Sequence, residues 1–239
     1  GGLAATIRSY TVDDRLHAEI AVADWPLADL ASRFGAEVDA FEGLPASADA
    51  TLDFATSTGI GEVAFHSEMG EGRVPFAGGV DVKGLDVTAT YLANDDTMRI
   101  DVTGDKVGPA SGEAILTLKN ILEGQAAHEF ELKSDSLTLD FTPVFERPVT
   151  LTGVEGAGLL SVNARQIDDL DLKFMEADAG FHLTGSIGLT PDKQDGEPPI
   201  LGSISLETSG DVTKDTVMAF WPVGLGTGGR NFARDNIEA

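Results

Sequence analysis

Apolar and polar residues alternate along most of this chain. Phe181, Leu183, Ile187 and Leu189 share one parity, and His182, Thr184, Ser186 and Thr190 share the other. The same alternation runs through Leu85/Val87/Ala89/Tyr91, Met98/Ile100/Val102 and Leu137/Leu139/Phe141, each set interleaved with Thr, Asp or Arg. Shorter cases are Leu16/Ala18/Ile20/Val22, Leu52/Phe54, Val63/Phe65, Leu116/Leu118, Phe130/Leu132, Leu160/Val162, Leu170/Leu172/Phe174 and Ile204/Leu206. Period two puts successive side chains on opposite faces of a strand. One apolar and one Thr/Ser/Asp face fits antiparallel sheet with a wetted side, since strands of a buried parallel sheet are apolar throughout. Glycines at segment ends (Gly70, Gly72, Gly78, Gly79, Gly104, Gly108, Gly156, Gly158) read as turns that need positive φ. The predicted fold class is mainly β: a long antiparallel meander.

Three stretches break the period, and short helices are predicted near 25–35, 214–221 and 230–237. In the first, Asp24 is placed to cap, Pro26 fits the first turn, Leu27, Leu30 and Phe34 share a face, and Gly35 stops it. The second is stopped by Pro222, and the third resumes at Arg230 after a Gly-rich loop. The polar segment Pro191–Pro199 lies between two strand-like runs and reads as a long hairpin loop. No domain boundary stands out, so residues 1–239 are read as one β-rich module. Thr51-Leu52-Asp53-Phe54 echoes Thr138-Leu139-Asp140-Phe141, which is compatible with a repeated β unit.

Charge narrows the function. The 239 residues carry 40 Asp+Glu against 16 Lys+Arg, a net charge of −24. Nucleic-acid binding requires clustered cations, so a nucleic-acid partner is not expected. Adsorption to anionic lipid headgroups is disfavoured for the same reason. There is no Cys, which removes disulfides, thiolate metal sites and Cys nucleophiles. No apolar run approaches the ~20 residues that span a bilayer as a helix. The chain opens on Gly1-Gly2 without Met and reads as an excised piece of a longer protein.

No catalytic constellation emerges. Asp168, Asp169 and Asp171, with Glu176 and Asp178, could supply a general acid and base to a glycosidase. In a chain with 40 acids they read better as a solvated strand face and turn. Asp192, Asp195, Gly196 and Glu197 depart from calcium-loop spacing, and Pro198-Pro199 obstructs the rest of such a loop. Gly224–Arg230 lacks the phosphate-loop Lys-Ser/Thr pair. His17, His66, His128 and His182 are scattered, and His66 and His182 read as outward residues of strands. The expectation is therefore no enzyme, no metal and no cofactor.

Two segments carry a family resemblance. Asp24-Trp25-Pro26-Leu27-Ala28-Asp29-Leu30 followed by Leu44-Pro45-Ala46-Ser47-Ala48-Asp49 resembles a helix and strand start of the AsmA-like family of the YhdP/TamB type, with Ala48-Asp49 where Gly is usual. Phe220-Trp221-Pro222-Val223-Gly224-Leu225 followed by Arg230-Asn231-Phe232-Ala233-Arg234-Asp235-Asn236-Ile237 is similar to a second family segment, with Phe232 replacing a Trp. The resemblance implies a periplasmic protein of a Gram-negative envelope, tethered to the inner membrane by a helix absent here. It implies an open β-groove that binds phospholipid acyl chains, continues into neighbouring repeats of the same chain, and moves lipid toward the outer membrane. Membrane contact would be made only through parts absent here.

On that reading the inward residues Val87, Ile100, Leu139, Phe141, Leu183 and Ile187 are the lipid-groove candidates. The alternative is a structural or adhesive closed β-sandwich of an envelope or extracellular protein, in which the same residues are core. Alternation alone is common to both.

Overall fold

In the computed structural model the described residues are 4–13, 15–26, 45–55, 59–74, 80–121, 127–142, 145–161, 166–189, 200–220 and 231. They form fourteen strands, antiparallel in every pairing, and one helix; the protein is mainly β. The chain divides into two compact units, Gly1–Glu123 and Gly124–Ala239.

The first unit holds β1 (Ala4–Val12), β2 (Arg15–Pro26), β3 (Pro45–Ala55), β4 (Gly59–Met69), β5 (Gly72–Val74), β6 (Val80–Lys83), β7 (Leu85–Leu92), β8 (Thr97–Val107) and β9 (Ala110–Lys119). Its sheet order is β1-β2-β3-β4-β7-β8-β9, a meander, with β5 paired to β6 and β6 to the end of β8. The register is the same at Met69↔Leu85 and Gly72↔Val82, so β4–β5 and β6–β7 are the two arms of one hairpin. At the bend Gly84 takes φ +56, a conformation that side chains disfavour. There Val82 and Leu85 bury, packed by Met69, Val87, Val102 and Val107, as the small core of this unit.

The second unit holds β10 (His128–Leu139), β11 (Val149–Ser161), β12 (Gln166–Glu176), β13 (Ala179–Leu189), β14 (Ile200–Gly210) and the helix α1 (Lys214–Ala219). The strands pair in chain order. Thr213 caps α1: its Oγ1 accepts the Thr216 N–H at 3.2 Å. Ala219 and Phe220 then pack onto Val149, Leu151 and Val154, the buried centre of the unit. The Phe220 ring lies 5.3 Å from Phe181 and 6.4 Å from Phe174.

Several expectations need correction. Trp25 and Pro26, assigned to a helix near 25–35, belong to β2, where they pair with Ala46 and Pro45 after a register shift beyond Val22. Strand pairing outlasts the local helix signal, and a proline at the last ladder position withholds no needed N–H. Residues 27–35 lie outside the described residues, as do 232–237 of the third helix, 190–199 of the hairpin loop and 224–229. The expected helix over 214–221 is α1, over 214–219.

Phe130/Leu132 and Leu137/Leu139, read as separate strands, are one strand. The parity of its inward positions changes between Ser134 and Leu137, and that of β11 changes at the same level between Leu151 and Val154. Both strands slip together at Asp135 and Gly153, with Gly153 at φ +57, so Leu132, Leu137 and Leu139 stay on one face with Val149, Leu151 and Val154. Gly156 and Gly158 are not turn residues but lie inside β11. A Cβ on Gly158 would stand 2.9 Å from the Phe130 ring, so this glycine makes room for an aromatic on the neighbouring strand.

Candidate functional site: the apolar face of the first unit

Strand register assembles the first unit's apolar positions into continuous lines. Ile7, Ile20, Ala50, Phe65, Ala89, Ile100 and Leu116 are directly opposed, one after another, across seven strands. Six inter-strand steps make this line about 29 Å long. A second line, Ala18, Leu52, Val63, Tyr91, Met98 and Leu118, runs beside it on the same face. Residues one position over form a line that is polar except at Ala64: Arg8, Glu19, Thr51, Ala64, Thr90, Arg99 and Thr117.

The apolar lines are unevenly covered. Tyr91 is buried, and its hydroxyl reaches Asp96 at 2.9 Å. Toward β1 the same face opens: Ile7 is 72% exposed, and Leu16, Ile20 and Phe65 are exposed with it. Among the described residues no helix packs on this part of the sheet. Large apolar side chains grouped on one exposed face mark a binding surface more often than chance placement does.

The groove candidates separate on the structure. Val87 and Ile100 share the first unit's apolar face; Val87 packs on the Val82/Leu85 core, and Ile100 is half-buried opposite Ala89 and Leu116. Leu183 and Ile187 share a face of β13, half-buried, with Leu183 opposite Leu172 and Leu206. Leu139 packs against the Val149/Leu151/Val154 core. Phe141 lies past the end of β10 and meets Phe145 edge-on, ring centres 5.9 Å apart. Ile7 and Ile20, the most open part of the apolar lines, were not among the candidates. Their signal was present in the alternation Leu16/Ala18/Ile20, but alternation carries no information about cover.

The polar face holds ion pairs. Arg15 donates to Asp53 at 2.8 Å, and this hydrogen bond holds the Asp53 carboxyl below its usual range. Arg99 binds both oxygens of Asp101, with the same effect on that carboxyl. His66 lies between Asp49 and Asp86; the hydrogen bond to Asp49 leads in raising the affinity of its ring for a proton.

Of the candidate acid–base carboxylates, Asp168, Asp169 and Asp171 gather at one depression, and Glu176 lies apart from them. Asp168 and Asp169 line an open polar depression of about 540 Å³ at a bulge in β12. Asp171, there too, is partly desolvated, yet Lys173 and His182 hold its carboxyl below the usual range. Glu176 sits on the opposite face of β12, its side chain 8% exposed, with one oxygen 3.2 Å from Arg147. Sequence reading had counted Glu176 among solvated acids; only packing reveals it as buried.

No helix among the described residues is long and apolar enough to cross a membrane. No family model, no curated protein and no solved structure matches this chain.

Proposed function

We propose that this chain is a non-catalytic module that binds phospholipid acyl chains along the apolar face of its first unit. The observation that carries the reading is the pair of apolar lines across the meander, left exposed at Ile7, Leu16, Ile20 and Phe65. A two-chain lipid carries roughly thirty methylenes, so moving it through water costs on the order of 25 kcal/mol at about 0.8 kcal/mol each. An apolar track offsets most of that cost without any catalytic group, while the headgroup stays in water. The AsmA-like resemblance supplies the finer part of the proposal. In it, the module is a section of a longer periplasmic groove, tethered to the inner membrane, that passes phospholipid toward the outer membrane and adjoins further β repeats.

The test is native mass spectrometry of the purified chain with extraction and identification of bound lipid. Phospholipid on the wild type, lost in Ile20→Glu with an unchanged β circular dichroism spectrum, supports the proposal. A wild type that takes up no lipid from phospholipid vesicles, or an Ile20→Glu variant that binds as before, overturns it.

A further inference from the structure

The surroundings of His66 pose a problem of hydrogen-bond capacity. A neutral imidazole has one N–H donor and one lone-pair acceptor. Here Nδ1 lies 3.1 Å from Asp49 Oδ1 and Nε2 lies 3.2 Å from Asp86 Oδ1. One N–H can serve only one of these carboxylates, which leaves a lone pair facing an anion at the other. Something positive must occupy that gap, either a second ring proton or a cation.

The surrounding residues suit a cation. Glu68 follows His66 by two in β4, on the same face, and pairs directly with Asp86 on β7. One ligand atom each from His66, Glu68 and Asp86 lie within 4.8 Å of one another. Three ligands about 2.1 Å from a tetrahedral metal stand about 3.4 Å apart, so modest side-chain rotation closes the set. Asp49 meanwhile receives the other ring nitrogen. A carboxylate in that position orients a metal-bound histidine and strengthens it as a ligand.

We propose that His66, Glu68 and Asp86 form a binding site for a borderline divalent cation of the Zn²⁺ class, with Asp49 as the positioning residue for the imidazole. One nitrogen with two carboxylate oxygens favours such an ion over Ca²⁺ or Mg²⁺, which take oxygen ligands. Three protein ligands leave a coordination position for water or an anionic ligand group.

The second unit supplies an internal control. His182 also lies between two acids, Asp171 at 3.0 Å and Glu207 at 4.0 Å. There, however, Lys173 Nζ is 3.4 Å from the same Asp171 oxygen and already supplies the positive charge.

The experiment is titration of the chelator-stripped full chain with ZnCl₂ against a competing indicator at pH 7.5, read beside long-range ¹H–¹⁵N imidazole spectra. The expected result is one saturable equivalent, a shift of His66 Nε2, and retention of the Nδ1 proton. His66→Asn should weaken binding at least 100-fold. Asp49→Asn should weaken it about 10- to 100-fold, and His182→Asn should leave it unchanged. Asp86→Asn provides a second ligand deletion if His66→Asn perturbs the circular dichroism. The proposal fails if the wild type takes no saturable equivalent, if the ligand variants titrate like the wild type, or if the equivalent is lost on His182→Asn.

Discussion

The two units carry the same alternating pattern to different ends. In the second, α1 lays Ala219 and Phe220 over Val149, Leu151 and Val154, and Val149 is left 1% exposed, while toward β14 the same face opens at Ile204 and Leu206. In the first, the apolar face is buried at Tyr91 and at the Val82/Leu85 bend, the line from Ile7 to Leu116 is at most half-buried, and the face opens at β1 to β4. An apolar strand face is therefore neither core nor binding surface by itself. What covers it decides, and around Val149 that cover is six residues of helix and one aromatic ring.

The largest expected effect comes from charging the covered face. Val149→Asp should destabilise the second unit by more than about 3 kcal/mol, because an unpaired carboxylate has no partner there. In urea titration the unfolding transition of that unit should shift to far lower denaturant. The equivalent change on the open face, Ile20→Glu, should cost only about 1 kcal/mol, because Ile20 is 44% exposed and its charge stays hydrated. Comparable losses from both substitutions would erase the distinction between the faces.

Removing the cover is the next step down. Phe220→Ala should lower the second unit's stability by about 2 to 3 kcal/mol. It should also raise the fluorescence of an added hydrophobic dye, making the second unit resemble the first. An unchanged dye signal would mean that α1 is not what closes this face.

Gly158→Ala, inside the covered sheet, should cost about 1 to 3 kcal/mol, since its Cβ would stand 2.9 Å from both the Phe130 ring and the Asp168 carbonyl oxygen. Adding Phe130→Leu should recover part of that loss in thermal unfolding. Failure of the second change to compensate would place the strain elsewhere.

The smallest effect concerns pH in the first unit. Asp53 titrates below its unfolded value because Arg15 donates to it. Its contribution is present above the unfolded pKa of about 3.9 and is lost as pH falls through the lower folded value. Asp53→Asn should therefore lower stability slightly at neutral pH, and the difference from the wild type should vanish as pH falls through the folded value, which flattens the acid limb. A steeper acid limb in the variant would contradict the pairing.

The alternation made most of the architecture legible before any coordinates. Leu85 to Tyr91 and Met98 to Val102 lie on strands as read, because period two is a property of the extended backbone itself. It failed where neighbours intervene. Phe130/Leu132 and Leu137/Leu139 look like two strands because a paired slip at Asp135 and Gly153 changes parity inside one. Trp25-Pro26 looks like a helix start until pairing with Ala46 and Pro45 is known. For the candidate site the limit is sharper: Leu139 and Ile20 satisfy the same pattern, yet one packs on the core under α1 and the other is exposed.

The sequence alone determined the antiparallel β class, the two-faced strands and the strongly acidic surface, since these follow from residue order and charge. Tertiary structure decided which apolar faces are covered and that Glu176 is buried. It also decided that His66, Glu68 and Asp86 meet across β4 and β7 with Asp49 behind them. Those outcomes depend on register between strands and on the path of α1, and both are set by contacts between residues far apart in the chain.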